Sequence, residues 1–280
     1  MADLSAASFF KYLKGILCEN RVGGISLIFS LHKKIAHMLS RLPLKKNLVL
    51  FALTLYFLLL GYKLMRLGAH ADGVEYGSVA RNLADGLGTF WKPYHDDIRR
   101  PVFHDHPPLV FWIQSIFFKV FGDGPYLESF YGLFAGLGIL GSTALFWQRV
   151  RRDFQLSSLG NWWPILLLVS LPLFTYTLQV NRLVNTYAIL AVFAAYAAYR
   201  SVIGNKHTVF LFSMLSGILI YLGFIAKGPV AFFAFAVPGI TWLALKAKLF
   251  KAILATLLAV VTFTVVLLAT FNFFPDSLDF

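Results

Sequence analysis

The stretch Phe103–Gly124, FHDHPPLVFWIQSIFFKVFGDG, runs His104, Asp105 and His106 into two prolines and then into a strongly apolar segment. Its reading decides the topology. A helix that crosses the hydrocarbon core needs about 20 mostly apolar residues. The apolar part here is shorter than that and polar at both ends, so it is assigned to an interfacial helix. Everything between the spans on either side of it then becomes one long loop on one face of the membrane. Pro107 and Pro108 suit the first helical turn, where a missing N–H costs little.

Composition sets the class. The chain of 280 residues is 58% hydrophobic and 14% charged, against about 25% charged in soluble domains. That excludes an ordinary soluble core and points to an all-α polytopic membrane protein. Cys18 is the single cysteine, so no internal disulfide forms. The net charge of +12 is explained by lysines and arginines flanking membrane spans, not by nucleic acid.

Seven segments are apolar and long enough to be read as spans, at about 47–67, 126–147, 161–178, 183–199, 208–225, 229–245 and 252–274. Cytoplasmic loops carry an excess of lysine and arginine. With the N-terminus inside, residues 1–46, 149–153, 200–206 and 246–251 are cytoplasmic and hold 16 of the 25 basic residues. Residues 1–46 are amphipathic and basic, and read either as a leader lying on an anionic leaflet or as a disordered tail. Residues 47–280 form the transmembrane domain. Its first external loop, 69–125, carries most of the remaining acids, and "VEYGSVARNLADG" within it reads as a surface helix ended by Gly86.

Three turns bring ionisable groups to the external face. Asp72 follows the first span and reads as a helix N-cap or as a general base for an incoming nucleophile. Arg182, in "TLQVNRLVNTY", reads as an interface anchor or as a fork for phosphate. Lys227, in "LGFIAKGPVAFF", reads as a snorkelling lysine or as a functional cation in apolar surroundings. His104, Asp105 and His106 can contribute to a divalent metal site, but alternation along an extended strand separates the imidazoles from Asp105. A closed site therefore needs ligands from elsewhere, with His95, Asp96 and Asp97 as candidates. An acid with two cations at headgroup depth suits a lipid-linked phosphate substrate and glycosyl transfer. Composition alone leaves transport open, although no internal repeat of the transporter kind is visible.

The ordered set "DGVEY", "ARNLADG", "HDHPPLVFWIQSIFFKVFG", "NRLVNTYAIL" and "LGFIAKGPVAF" resembles the GT-C type membrane glycosyltransferases, in the branch of the protein O-mannosyltransferases and bacterial lipid A aminoarabinose transferases. The resemblance runs from about residue 50 to 245. It implies an inverting transferase that takes its sugar from a polyprenyl-phosphate donor. The acceptor would be a glycolipid, protein or cell-wall polymer, and the site would lie on the external face of a bacterial inner membrane. It implies Asp72 as catalytic base, and Tyr76, His106, Arg182 and Lys227 as substrate-binding residues. His106 falls where relatives have a lysine near the donor phosphate, and Asp105 falls at a position that ligates metal in some of them. His104 joins Asp105 as a candidate metal ligand.

Gly73 stands where relatives often have a second acid. His106 in place of lysine makes phosphate binding depend on protonation near the ordinary histidine pKa of about 6.5. Family members continue well beyond this length, so a fragment or truncated gene product is expected. An inactive remnant that binds polyprenyl-phosphate lipids is the alternative to an active transferase.

Overall fold

The computed structural model describes residues 44–64, 71–98, 101–156 and 160–279. Residues 1–43, and with them nearly all of the expected basic leader, lie outside the described residues. The first helix, α1, covers Leu44–Leu64. Ala52, Tyr56 and Leu60 recur every four residues along it and are fully or almost fully buried. That spacing makes one narrow apolar stripe. It packs on Ala135, Ile139 and Leu140 of α4, Leu127–Asp153. The Tyr56 hydroxyl donates to the Leu133 carbonyl at 2.7 Å. Gly136 leaves room for it, since a Cβ there would stand 2.2 Å from the Tyr56 oxygen. Leu50, Phe51, Phe57 and Leu58 remain exposed on the other side of α1, as a lipid-facing surface requires.

Between α1 and α4 lie two shorter helices, α2 at Ala71–Ala84 and α3 at Leu109–Phe121. The expected surface helix is α2. It ends in a Schellman motif: Leu87 N–H donates to Asn82 O at 2.8 Å, Gly86 N–H donates to Leu83 O at 3.3 Å, and Gly86 has φ +82. Glycine takes that left-handed conformation without a Cβ penalty. The expected interfacial helix is α3, with 13 residues. Val110, Phe111 and Phe118 are buried, while Trp112, Val120 and Phe121 are exposed on its other side.

After α4 the chain forms α5, Trp162–Ser170, and α6, Pro172–Gln179. The sequence reads these as one straight span, but their axes differ by 71°. Pro172 has no N–H to continue the ladder and its ring clashes with the preceding turn, so the helix stops at Ser170 and restarts. Helices α7, Val184–Ile203, and α8, Lys206–Lys227, form an antiparallel pair. Ser216 Oγ donates to Ala194 O across it.

The 40 residues from Lys206 to Leu245 are helical and apolar throughout, yet they do not form one rod. Gly228, with φ +79, ends α8. A 3-10 segment, Gly228–Ala236, and α9, Val237–Leu245, then double back. Phe232 stacks on Phe224 at 5.5 Å. Val230 accepts from the Tyr187 hydroxyl near the start of α7, whereas Trp242 packs beside Val202 at its end. The last long helix, α10, is Leu249–Phe273, followed by a 3-10 turn at Pro275–Asp279.

Helices occupy all seven segments read as spans. By length and composition four helical segments of the described residues can cross a membrane, or five with the bent α5–α6 pair taken as one. The described residues contain no β-strand beyond the isolated bridges Gly88–Pro93 and Tyr94–Val102, so the molecule is an all-helical polytopic membrane protein.

In lipid, small residues at helix crossings let backbones approach closely. A Cβ on Gly132 would meet Leu178 O at 2.2 Å, whereas one on Gly141 meets nothing within 4 Å. Gly132→Val should therefore destabilise the protein by about 1–3 kcal/mol, read as a lowered thermal midpoint in lipid nanodiscs, while Gly141→Ala leaves the midpoint unchanged.

Candidate active site

The site forms where α2 meets the turn between α6 and α7. Asn181 holds a left-handed conformation in that turn, φ +50. Its side-chain amide donates to the Gly73 carbonyl at 3.1 Å. Asn185 donates to Thr177 O at 2.8 Å and closes the turn on itself. Gly73 lies so close that a Cβ would stand 2.3 Å from the Val180 carbonyl oxygen. A second acid directly after Asp72 would have no room here, which accounts for glycine at this position.

Asp72 lies inside the first turn of α2. Its carboxylate accepts from the Arg182 guanidinium, 110 positions away in sequence. The pair is only half shielded, with side-chain exposures of 41% for Asp72 and 33% for Arg182. Such a pair contributes little to stability, and both groups stay open to a ligand. Lys227, the last residue of α8, is close enough for its charge to act on both Arg182 and Asp72.

His106 and Tyr76 complete the cluster. Tyr76 is buried, with its ring edge-on to His106 at 5.4 Å and tilted against Phe111 at 5.7 Å. Burial, followed by the Asp72 carboxylate, pushes the Tyr76 phenol up, while Arg182 opposes the shift. His106 is held below 6.5 first by burial and then by Lys227, against Asp105, Asp72 and Glu75. Residues read from separate stretches of the chain thus share one electrostatic environment.

His104 and Asp105 are exposed at the rim. Among the described residues no three histidine, cysteine or acidic side chains converge to hold a metal ion. His95 instead sits between Glu75, 3.4 Å from Nε2, and Asp96, 3.1 Å from Nδ1. The described residues do not form a closed metal site, and no step below runs through a metal.

Several supporting residues escape a linear reading. The Asn82 amide donates to the carbonyls of Tyr94 and His95, at 3.2 and 2.9 Å, and pins the loop beyond α2. Lys92 pairs with Asp276 at 2.7 Å and tethers that loop to the turn after α10. No motif marks these contacts. Their only sequence signal is the crowding of polar residues into an otherwise apolar chain.

The His106 shift has a measurable sign. An imidazole whose folded pKa is depressed contributes stability that is complete above 6.5 and declines as pH falls from there through the folded value. Thermal unfolding followed from about pH 7.5 to about pH 5 should show this acid-side loss in the wild-type chain, and His106→Gln should reduce it.

Residues 105–271, more than half of the chain, match the dolichyl-phosphate-mannose-protein mannosyltransferase family. No curated protein matches the chain. The fold is similar to the crystal structure of ArnT from Cupriavidus metallidurans bound to undecaprenyl phosphate, with TM-score 0.55 and 16% identity. That likeness covers 82% of this chain but only 42% of the ArnT chain, so this chain spans less than half of its length. Since the family match covers more than half of the chain, the chain belongs to the dolichyl-phosphate-mannose-protein mannosyltransferase family, among the GT-C type membrane glycosyltransferases.

Proposed function

We propose that the protein transfers a sugar from a polyprenyl-phosphate donor to an acceptor hydroxyl or amine, with inversion at the anomeric carbon. The observation that carries this reading is the contact of Asp72 with Arg182 in a half-exposed pair, with Lys227 close enough for its charge to act on both. Family membership supports the transferase class, and the undecaprenyl phosphate bound to the structurally similar ArnT supports a polyprenyl-phosphate donor.

The chemistry follows from charge. The acceptor oxygen or nitrogen attacks the anomeric carbon as the bond from that carbon to the phosphate oxygen breaks. The bonding pair leaves with the phosphate, and the acceptor proton passes to the Asp72 carboxylate. The transition state has oxocarbenium character. Negative charge grows on the departing phosphate, where preorganised cations lower the barrier. Arg182 supplies a rigid two-pronged donor and Lys227 a point charge. In the free protein Arg182 is bound to Asp72. A donor phosphate competing for that guanidinium would release the carboxylate for proton transfer, so donor binding would arm the base. Burial and Lys227 disfavour the charged form of His106, which serves as a packing group beside Tyr76.

We place this site on the external face of a bacterial inner membrane with the N-terminus inside. Arg149, Arg152, Arg200, Lys248 and Lys251 stand at the helix ends remote from Asp72, which agrees with a cytoplasmic opposite face.

Two measurements test the reading, using the purified chain in lipid and a panel of radiolabelled polyprenyl-phosphate sugars. Asp72→Asn should lower transfer about 10²–10⁴-fold while donor binding persists. Transfer at wild-type rates would remove Asp72 as the base. Lys227→Ala should weaken donor binding about tenfold or more, as loss of one partner of a buried charged hydrogen bond does. An unchanged apparent affinity would place the phosphate elsewhere. Saturable donor binding without transfer in the wild type would mark a lipid-binding protein instead.

A further inference from the structure

The end of the bundle remote from Asp72 holds a cavity that glycosyl transfer does not use. It has a volume of about 230 Å³ and lies between α4 and α7. From Val184 to Arg200 the axis of α7 runs about 24 Å. The cavity therefore lies at the opposite end of α7 from the turn that carries Arg182.

Its lining combines two chemistries. Arg149, Arg152 and Arg200 supply positive charge, and Leu145, Phe193 and Tyr196 supply apolar and aromatic surface. Asp153 is the acid beside them. One of its oxygens accepts from Arg149 Nε and from the Tyr199 hydroxyl, each at 2.9 Å, so its charge is spent on Arg149. Among the described residues Arg152 and Arg200 make no ion pair. The Arg200 guanidinium lies 5.2 Å over the Phe212 ring, which fixes its plane. Its Nε is buried and has no hydrogen-bond partner among the described residues. A buried charged donor left without an acceptor is costly, and an anion in the cavity would satisfy it.

The apolar half of the lining says what kind of anion. Leu145 and Phe193 sit on membrane-spanning helices and face outward, 58% and 36% exposed. A soluble anion makes no use of that surface, whereas an acyl chain lies along it. Basic pockets between spanning helices hold anionic headgroups. We propose that this cavity is a binding site for an anionic phospholipid of the leaflet opposite the catalytic face. The headgroup phosphate sits among Arg149, Arg152 and Arg200, and one chain runs past Leu145 and Phe193. The proposal rests on the chain spanning the membrane and not on the assigned transferase activity.

The test is lipid retention by the full chain, read by native mass spectrometry from nanodiscs containing phosphatidylglycerol and phosphatidylcholine. The wild type should retain phosphatidylglycerol selectively. Arg152→Gln with Arg200→Gln should weaken that retention about ten- to thirtyfold, from roughly 1 kcal/mol per basic residue. The pair Arg152→Lys with Arg200→Lys keeps the charge and should show a smaller, severalfold loss, which guards against a folding defect in the first variant. Three results would each overturn the site: undiminished selectivity in the glutamine variant, equal loss on changing the exposed Lys246 and Lys248 to glutamine, or displacement of the lipid by millimolar inorganic phosphate. The first would place the lipid elsewhere, the second would mean diffuse surface charge, and the third a soluble anion.

Discussion

Gly73 lies with its backbone against the Val180 carbonyl, and the geometry of the candidate site depends on that approach. Any side chain at position 73 would push α2 away from the turn between α6 and α7. Asp72 would then lose Arg182, and the Asn181 amide would lose the Gly73 carbonyl it now reaches. The short helix brings its carboxylate to a cation 110 positions away because one residue has no Cβ. Asn181, in its left-handed conformation, completes the junction from the other side.

Charge at this junction is arranged for a ligand more than for stability. Asp72 and Arg182 are too exposed for their pair to add much to folding. Lys227 acts on both, so two cations face the Asp72 carboxylate, while Glu75 and Asp105 act on Tyr76 and His106 beside them. Burial and then Lys227 disfavour the charged form of His106. Arg182 and Lys227 are the groups that would attract an anion here, with the His106 imidazole and the buried Tyr76 phenol beside them.

The bundle supports this through its breaks. Pro172 bends α5 from α6, and the turn that carries Arg182 follows within one short helix. Gly228 ends α8 directly after Lys227 and sends the chain back along α7. Both cations of the site thus sit at points where a helix stops. Such breaks within membrane helices are tolerated where neighbouring groups satisfy the freed backbone. The Tyr187 hydroxyl on the Val230 carbonyl is one such contact.

Much of this was legible along the chain. Apolar runs of spanning length identify the class, because hydrocarbon admits helices whose backbone groups are satisfied internally. The short, polar-ended segment after Pro108 reads correctly as a helix of 13 residues, and "ARNLADG" announces its own C-cap. Asp72, Arg182 and Lys227 stand out because an ionisable group in an apolar setting is costly. Local pattern did not reveal the 71° bend at Pro172, the 3-10 return after Gly228 or the pinning of the loop by Asn82 and Lys92. Those depend on which backbones approach closely enough to exclude a Cβ and which carbonyls lie free to accept. The linear sequence by itself determined a helical membrane protein with a few costly charges. Only the tertiary structure decided that Asp72, Arg182, His106 and Lys227 share one field, on which Asp105 acts from an exposed position, because distances between remote segments are set by packing.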